Sequence, residues 1–583
     1  MKVQITINNK KYKVDEGKTI LEVCEENGID IPALCHHPDL DIKASCRLCL
    51  VQIKGVKELV TACSERVCKG YNILTESAEI TKARKINLEL LFSQHKEECF
   101  DCVWNYNCEL LRLAKKYKKY KVKINRFEDR KAKYPVYRFG NVIEFDSSKC
   151  IDCRNCVEMC SKQGVGFLEI KEKGSLFQVV PSAKKNIDCI YCGQCINHCP
   201  AGAFETVDEF ENIEKPLLPA CRQAGKKNKV VVAQFAPAIR TSIGEEFGLA
   251  GGKVVLGQLV AALRKVGFNK VFDTSVGADF TTTSEALEVV ERIKQNKNLP
   301  VLTSCCPAWV KYVEQRYPKY IKNISTTKSP QTILGALIKT YWAQKEKINP
   351  KNIYVVSIMP CTAKKFEIER PQLKVQGMKS VDYVLTTREF ARLLMRRKIN
   401  FAKLKPEKPD AVFGNPSGAG VIYGATGGVM ESAFRTAYEK LTGKTLKNVD
   451  FKKVRGMQGI KEAEVKVGGK VRKIAVINGL GNAKKFLNEK KRKIKQYTCI
   501  EVMACPGGCI GGGGQPIPTS NDIRVKRADS LYSLDKAKKV RKAHENPIVK
   551  KVYKDYFSNN EKIAHQVLHT SYNKKPKGPV VKL

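Results

Sequence analysis

Two cysteine runs of identical spacing constrain this chain more than any other feature. Cys150, Cys153, Cys156 and Cys160 follow the pattern C-x2-C-x2-C-x3-C, and Cys189, Cys192, Cys195 and Cys199 repeat it, with Pro200 directly behind. Such a run holds 4Fe–4S cubes through thiolates, and the fourth Cys of each run serves the other cube. One cube is therefore expected on Cys150, Cys153, Cys156 and Cys199, and the second on Cys189, Cys192, Cys195 and Cys160. Two further groups lie upstream. Cys35, Cys46, Cys49 and Cys63, spaced C-x10-C-x2-C-x13-C, suit a 2Fe–2S cluster wrapped by a loop, with a zinc site as the competing reading. His95, Cys99, Cys102 and Cys108, spaced H-x3-C-x2-C-x5-C, suit a 4Fe–4S cluster with one His ligand, again against zinc.

Four more cysteines sit in three stretches of the second half: Thr303 to Trp309 with Cys306, Met359 to Lys365 with Cys361, and Met503 to Cys509 with Cys505 and Cys509. Each stretch follows a short apolar run, at Val301-Leu302, Ile353 to Ile358 and Cys499 to Val502. A strand that delivers a Cys at its C-terminal end is a ligand position in an open α/β sheet. Cys24 and Cys68 read as packing residues.

Composition narrows the rest. The chain has 583 residues and 24 Cys but only 7 His, which favours thiolate-bound iron over zinc. No apolar run reaches the length of a transmembrane helix, and the N-terminus opens on an alternating strand without a leader pattern, so the cytoplasm is expected and no membrane. The formal charge is +45. Loaded clusters would remove roughly ten positive charges and leave the protein basic. Basic runs stand at Lys115 to Lys123, Lys490 to Lys495 and Lys536 to Lys542, with no nucleic-acid-binding pattern beside them. An acidic redox protein steered by charge fits better than nucleic acid, and a general Lys excess on solvated faces fits as well.

In chain order, Val3, Ile5 and Ile7 alternate, Asn8-Asn9-Lys10 turn, and Thr19 with Glu22 forms a capping box opening a helix through Glu26. A basic helix is expected from Leu110 to Lys121. Pro216 and Pro219 mark a linker, after which strands and helices alternate, with helices at Gly252 to Val266 and Thr283 to Gln295. Gly479-Leu480-Gly481-Asn482 reads as a strand-to-helix turn, because Lys484 stands where a nucleotide loop has its third Gly. Gly511 to Gly514 reads as close backbone approach to a cofactor or as a flexible turn. The stretch from Ala537 to His569 reads as helices packed on the outside. The fold class is thus multidomain α+β and α/β. The units are a β-grasp 2Fe–2S ferredoxin-like domain at 1–79, a small His/Cys 4Fe–4S domain at 80–125, a two-cluster ferredoxin-like domain at 126–210, and a large α/β domain with a helical C-terminal wrap at 211–583.

The stretches TSCCPAW, MPCTAKKFE and EVMACPGGCIGGGGQP resemble the active-site signatures of the iron-only (FeFe) hydrogenases, and the upstream motifs match, in order, the accessory domains of the clostridial type. The resemblance covers essentially the whole chain. It implies an H-cluster, a 4Fe–4S cube joined through one Cys to a two-iron unit with carbonyl, cyanide and dithiolate ligands. It implies Cys306, Cys361, Cys505 and Cys509 on the cube, Cys509 bridging, and Lys364 hydrogen-bonded to a cyanide. Met359 and Met503 would shield the two-iron unit, and Ala236, Pro237 and Gln331 would line its pocket. Ala308 stands where the family commonly has Gly, and Ala238 where it commonly has Ser. Cys305 would carry protons rather than metal, and the proton line would run Cys305, Glu285, Ser325, Glu288, Arg292. On a helix, Glu285, Glu288 and Arg292 share a face, and Ser325 would bridge the carboxylates.

The activity implied is reversible proton reduction to hydrogen, with ferredoxin or flavodoxin as electron partner, maturation proteins for the two-iron unit, and a monomer. One alternative is the hydrogenase subunit of an NAD-linked bifurcating complex, against which stands the lack of any Cys after Cys509. Others are a non-catalytic hydrogen sensor or iron–sulfur assembly protein of the same superfamily, and a respiratory dehydrogenase subunit, which would share only the N-terminal motifs.

Overall fold

The computed structural model describes residues 1–97, 99, 102, 104, 108–118, 134–172, 177–217 and 229–583, the side chains of 211, 215 and 216 aside. The expected boundary at 125/126, Pro219, Cys221 and the end of the basic helix lie outside them.

The N-terminal unit is a five-stranded sheet crossed by the helix Ile20–Glu26. Its first hairpin turns on Asn8 and Asn9, both left-handed at φ 48° and 67°, which Asn tolerates better than most residues. The capping box is present, with the Thr19 side chain accepting from the Glu22 N–H while Glu22 reaches back to the Thr19 N–H at 2.7 Å. Cys24 is fully buried in this unit's core, as expected of a packing residue, but Cys68 is exposed, because it sits on the turn into the strand Asn72–Leu74. A long helix, Ala78–Phe92, leads to the His95 group, and the described part of the basic helix runs Glu109–Lys118.

The repeated cysteine runs are repeated in the backbone. Asp152 and Arg154 flank Cys153, Tyr191 and Gly193 flank Cys192, and all four are left-handed. Each loop then enters a short helix, Asn155–Lys162 or Gln194–Asn197.

The large domain holds two four-stranded sheets. In the first, Lys270–Asp273, Val230–Phe235, Ile353–Met359 and Tyr383–Thr386 are all parallel. In the second, Val301–Leu302, Tyr497–Met503 and Lys470–Asn478 are parallel, and Ile460–Val467 closes the edge antiparallel. The helix Thr274–Gln295 packs against helices 330–337 and 428–442. It starts nine residues before the expected Thr283, because Asp273 caps it directly at the end of its strand through the Ser275 N–H at 2.9 Å. By contrast, the helix expected from Gly252 begins at Leu256, since Gly252 is left-handed and cannot stay in a helical turn.

Two features stand out in the C-terminal part. Its helices pack on the outside, with Lys551, Lys554 and Asp555 exposed, and bury Val549, Val552, Phe557, Val567 and Leu568 in the core of the first sheet. The last strand, Val580–Lys582, pairs antiparallel with Val136–Phe139 and so completes the sheet of the two-run unit. That unit also shares a core with the second sheet, in which Phe139, Phe145 and Phe204 join Ile477, Leu480 and Ile500.

Candidate active site

Both sheets point the C-terminal ends of their strands at one cavity of about 80 Å³. Ala236 follows the first sheet's Val230–Phe235, and Cys361 follows Ile353–Met359. Cys305 and Cys306 follow Val301–Leu302, and Cys505 and Cys509 follow Tyr497–Met503. Ala236, Pro237, Gln331, Met359, Met503 and Lys364 share the lining with all five thiols, so the structure brings every expected pocket residue together. The lining is otherwise mostly Pro, Ala and Gly. Burial raises the pKa of all five thiols, with Cys509 at about 12, and neighbouring sulfurs raise all but Cys306 further. Converging thiols in an apolar hole are costly to ionise unless a cation balances them, which is what an iron cluster supplies. The donor set therefore fits the cube. Gly508 completes the cradle, since a Cβ there would stand 2.6 Å from the Met503 sulfur and 2.8 Å from the Thr426 nitrogen, at φ +92°.

Lys364 enters from the helix Ala363–Ile368. Its ammonium donates to Glu367 at 2.7 Å and to the Cys305 carbonyl at 3.2 Å. Burial alone would lower its pKa, but Glu367 outweighs burial and keeps the group charged. Glu367 also accepts from Gln331 at 2.8 Å and Ser329 at 3.0 Å. One carboxylate thus positions two lining side chains. Neither Glu367 nor Tyr423, which also lines the cavity, stands out in the sequence, although Glu367 lies one helical turn past Lys364.

Along the helix Thr274–Gln295, Glu285 is 1% exposed, while the side chains of Glu288 and Arg292 are 9% and 11% exposed, so the three run from interior to surface. Burial and the adjacent Glu288 charge raise the Glu285 pKa to about 8, and the nearby Ser325 hydroxyl only partly opposes them. Ser325 has one proton and donates it to Glu288 at 2.7 Å. The Glu285 oxygens are left without a hydrogen bond of ordinary geometry among the described residues. Arg292 pairs with Glu288.

Upstream, parts of the cysteine groups lie together. Cys35 accepts from the Cys46 N–H at 3.4 Å, and Cys35 and Cys63 are driven down chiefly by hydrogen bonds from Cys46 and Cys49. His95 is 9% exposed and its Nδ1 is bonded to the Lys149 carbonyl at 2.8 Å, which leaves Nε2 as the atom able to ligate. The Cys108 charge reaches Cys102, and the Cys99 charge reaches Cys108. Cys199 acts on Cys153, Cys156 and Cys195, and Cys160 on Cys189 and Cys195, so the two runs lie close enough for their charges to interact. The groups also meet one another. Cys35, Cys46, Cys108 and Cys153 share a core, and Cys192 lies near enough to Cys306 and Cys505 for their charges to interact. Gly513 explains that last approach: a Cβ on it would meet the Cys192 carbonyl at 2.3 Å. The glycine run thus admits neighbouring backbone, and only Gly512 of the four also lines the cavity.

Family models match along the chain: a 2Fe-2S iron-sulfur cluster binding domain at residues 1–78, the NADH-ubiquinone oxidoreductase-G iron-sulfur binding region at 84–123, and a 4Fe-4S dicluster domain at 149–203. The C-terminal domain of the iron only hydrogenase large subunit follows at 229–513, and the iron hydrogenase small subunit at 521–575. The NADP-reducing hydrogenase subunit HndD of Solidesulfovibrio fructosivorans is 41% identical, over 98% of this chain and 99% of its own. Iron hydrogenase 1 of Clostridium pasteurianum is 40% identical, over 98% and 100%. Among solved structures, apo FeFe-hydrogenase HydA1 from Chlamydomonas reinhardtii superposes with a TM-score of 0.56 at 38% identity, over 62% of this chain and 98% of that one. The chain belongs to the iron-only (FeFe) hydrogenases, an enzyme whose cofactors are an H-cluster, one 2Fe–2S cluster and three accessory 4Fe–4S clusters.

Proposed function

We propose that this enzyme reversibly reduces protons to hydrogen, with ferredoxin or flavodoxin as its electron partner, in the cytoplasm and as a monomer matured by dedicated partners. The observation that supports the reading is a fifth thiol, Cys305, which lines the four-cysteine cavity and lies near enough to the buried acid Glu285 for their charges to interact. When bound, the H-cluster supplies the metal site where protons and electrons combine, and the accessory clusters carry single electrons. The chain's residues do the rest. Cys306, Cys361, Cys505 and Cys509 would hold the cube, and the upstream cysteine groups with His95 would hold the accessory clusters. Lys364, steadied by Glu367, presents a fixed positive charge to the cavity. Met359 and Met503 keep water from its walls. Cys305 would exchange a proton with Glu285, whose raised pKa keeps it a donor at neutral pH. Ser325 and Glu288 would extend that line outward, with Arg292 steadying Glu288 at its outer end.

A second reading, the hydrogen-converting subunit of a pyridine-nucleotide-linked assembly, is favoured by the full-length likeness to a subunit of an NADP-reducing hydrogenase. The experiment is to mature the chain alone and measure hydrogen evolution with reduced ferredoxin and with NADPH. Turnover with ferredoxin by the isolated chain supports the first reading. Turnover that appears only with NADPH and added subunits overturns it.

A further inference from the structure

The outer end of the acidic line carries a group that the line does not use. Glu288 accepts from Ser325 at 2.7 Å, from the Thr326 N–H at 3.0 Å and from the Thr327 hydroxyl at 3.4 Å, as well as from Arg292. Arg292 is held on its other side by the carbonyls of Asn298, Lys322, Asn323 and Ile324. A guanidinium keeps its proton at any working pH, so Arg292 can steady Glu288 but cannot accept a proton and pass it on.

An imidazole stands on the other side of the same carboxylate. Ser284, one turn before Glu288 on the same helix face, lies 3.1 Å from the Thr327 hydroxyl and 3.4 Å from His569 Nε2. His569 Nδ1 lies 2.9 Å from the Thr326 hydroxyl. Ser284 and Thr327 are buried, whereas Thr326 and His569 are half-buried. One ring therefore spans from an interior hydroxyl pair to a half-buried hydroxyl. Its place is set by backbone: the Lys328 N–H donates to the Leu568 carbonyl at 2.7 Å, the Thr570 N–H donates to the Thr326 carbonyl at 2.8 Å, and Thr327 bridges His569 antiparallel. The charged and titratable groups facing the ring are Glu288 and Glu291 of the long helix, Lys328 of the segment after Ser325, and His565 of its own helix. Burial leaves the ring neutral at pH 7, with one nitrogen free to accept while the other donates.

We propose that His569 is a second proton port of the catalytic line, passing protons between solvent at Thr326 and Glu288 by way of Ser284 and Thr327. This rests on the acidic line itself. In the inward direction the Thr326 hydroxyl gives its proton to Nδ1 and takes one from solvent, as the Nε2 proton moves to the Ser284 oxygen. The Ser284 proton passes to Thr327, and the Thr327 proton to the Glu288 carboxylate. The ring ends neutral as the other tautomer, and a ring turn or exchange with water resets it. The residue comes from the small-subunit segment and its target from the large-subunit segment, so the port lies across their junction.

The test uses matured full-length enzyme assayed for hydrogen evolution across pH. His569→Ala is expected to slow turnover about tenfold where proton supply limits the rate, less than the ~10²-fold of a lone general acid because the solvent route beside Arg292 remains. Added imidazole should restore the rate, and substituted imidazoles should do so in the order of their basicity. His569→Gln, which keeps a donor and an acceptor but cannot relay, should be as slow as His569→Ala. A pH profile of His569→Ala identical to wild type overturns the port, as does a loss that imidazole leaves untouched or that His569→Gln repairs. Glu288→Gln separates the two levels. If it slows turnover while His569→Ala does not, only the port fails. If Glu288→Gln is without effect, the acidic line itself fails.

Discussion

At the residue scale, the proposed proton line requires Cys305 to differ from its neighbours in role while sharing their cavity. Cys305→Ala should leave iron content and the infrared bands of the two-iron unit unchanged and cut turnover by about 10²–10⁴-fold, the range of a lost acid–base group; gas chromatography of evolved hydrogen measures it. Glu285→Gln should cost turnover similarly, and it carries a separate stability signature. The folded carboxyl titrates near 8, above the ordinary carboxylate range. The folded state therefore holds an extra proton between those values, and the group's share of stability is full on the acid side and lost as pH rises through 8. The Gln variant has nothing to ionise, so its melting temperature should fall less than wild type's as pH rises from about 4.5 to 8. The cysteine and histidine groups are legible in the sequence because ligand spacing is local. Glu285, Ser325, Glu288 and Arg292 are legible only through the family resemblance, since their spacing alone describes a solvated face. Glu367, Tyr423 and His569 escape a linear reading because what marks them is a contact across the fold: Glu367 with Gln331, Tyr423 with Thr282 at 2.9 Å, His569 with Thr326.

At the scale of elements, the strands carrying cysteines lie where the apolar runs place them, and two helix starts do not. The long helix begins at Thr274 because its cap is an Asp at the end of a strand, whereas the Thr-rich run after it suggests a loop. In the sequence the glycine run reads first as close approach to a cofactor and second as a flexible turn, and only the assembled domains show which surfaces it joins. Gly511 and Gly512 would set a Cβ 2.1 Å from the Pro506 and Pro360 carbonyls, and Gly513 sets one 2.6 Å from the Gly193 Cα. Gly513→Ala should therefore push the Cys192 loop away from the cavity. The expected cost is about 1–3 kcal/mol of stability, as for other overpacked sites, seen as a lower melting temperature. Turnover driven through the accessory clusters should drop more than turnover with a small reductant that reaches the cavity directly. Equal losses with both donors would show that the glycine matters only for folding.

At the scale of the molecule, the chain ends by returning to its middle. Val580–Lys582 pairs with Val136–Phe139, and the two-run unit and the second sheet bury one core. The accessory groups are thus fixed against the cavity rather than tethered to it. The formal charge of +45 gives a further test of the donor: turnover with acidic ferredoxin should fall as salt rises, by screening of the attraction, while turnover with an uncharged mediator stays level. A salt response shared by both would assign the Lys excess no part in steering. The most direct measurement of the central claim is an anomalous iron map of crystals of the matured protein. The map is expected to show one cube bound by the sulfurs of Cys306, Cys361, Cys505 and Cys509, a two-iron unit joined through Cys509, and no iron within bonding distance of the Cys305 sulfur. Iron bonded to Cys305, or a cluster missing any of those four sulfurs, would contradict it.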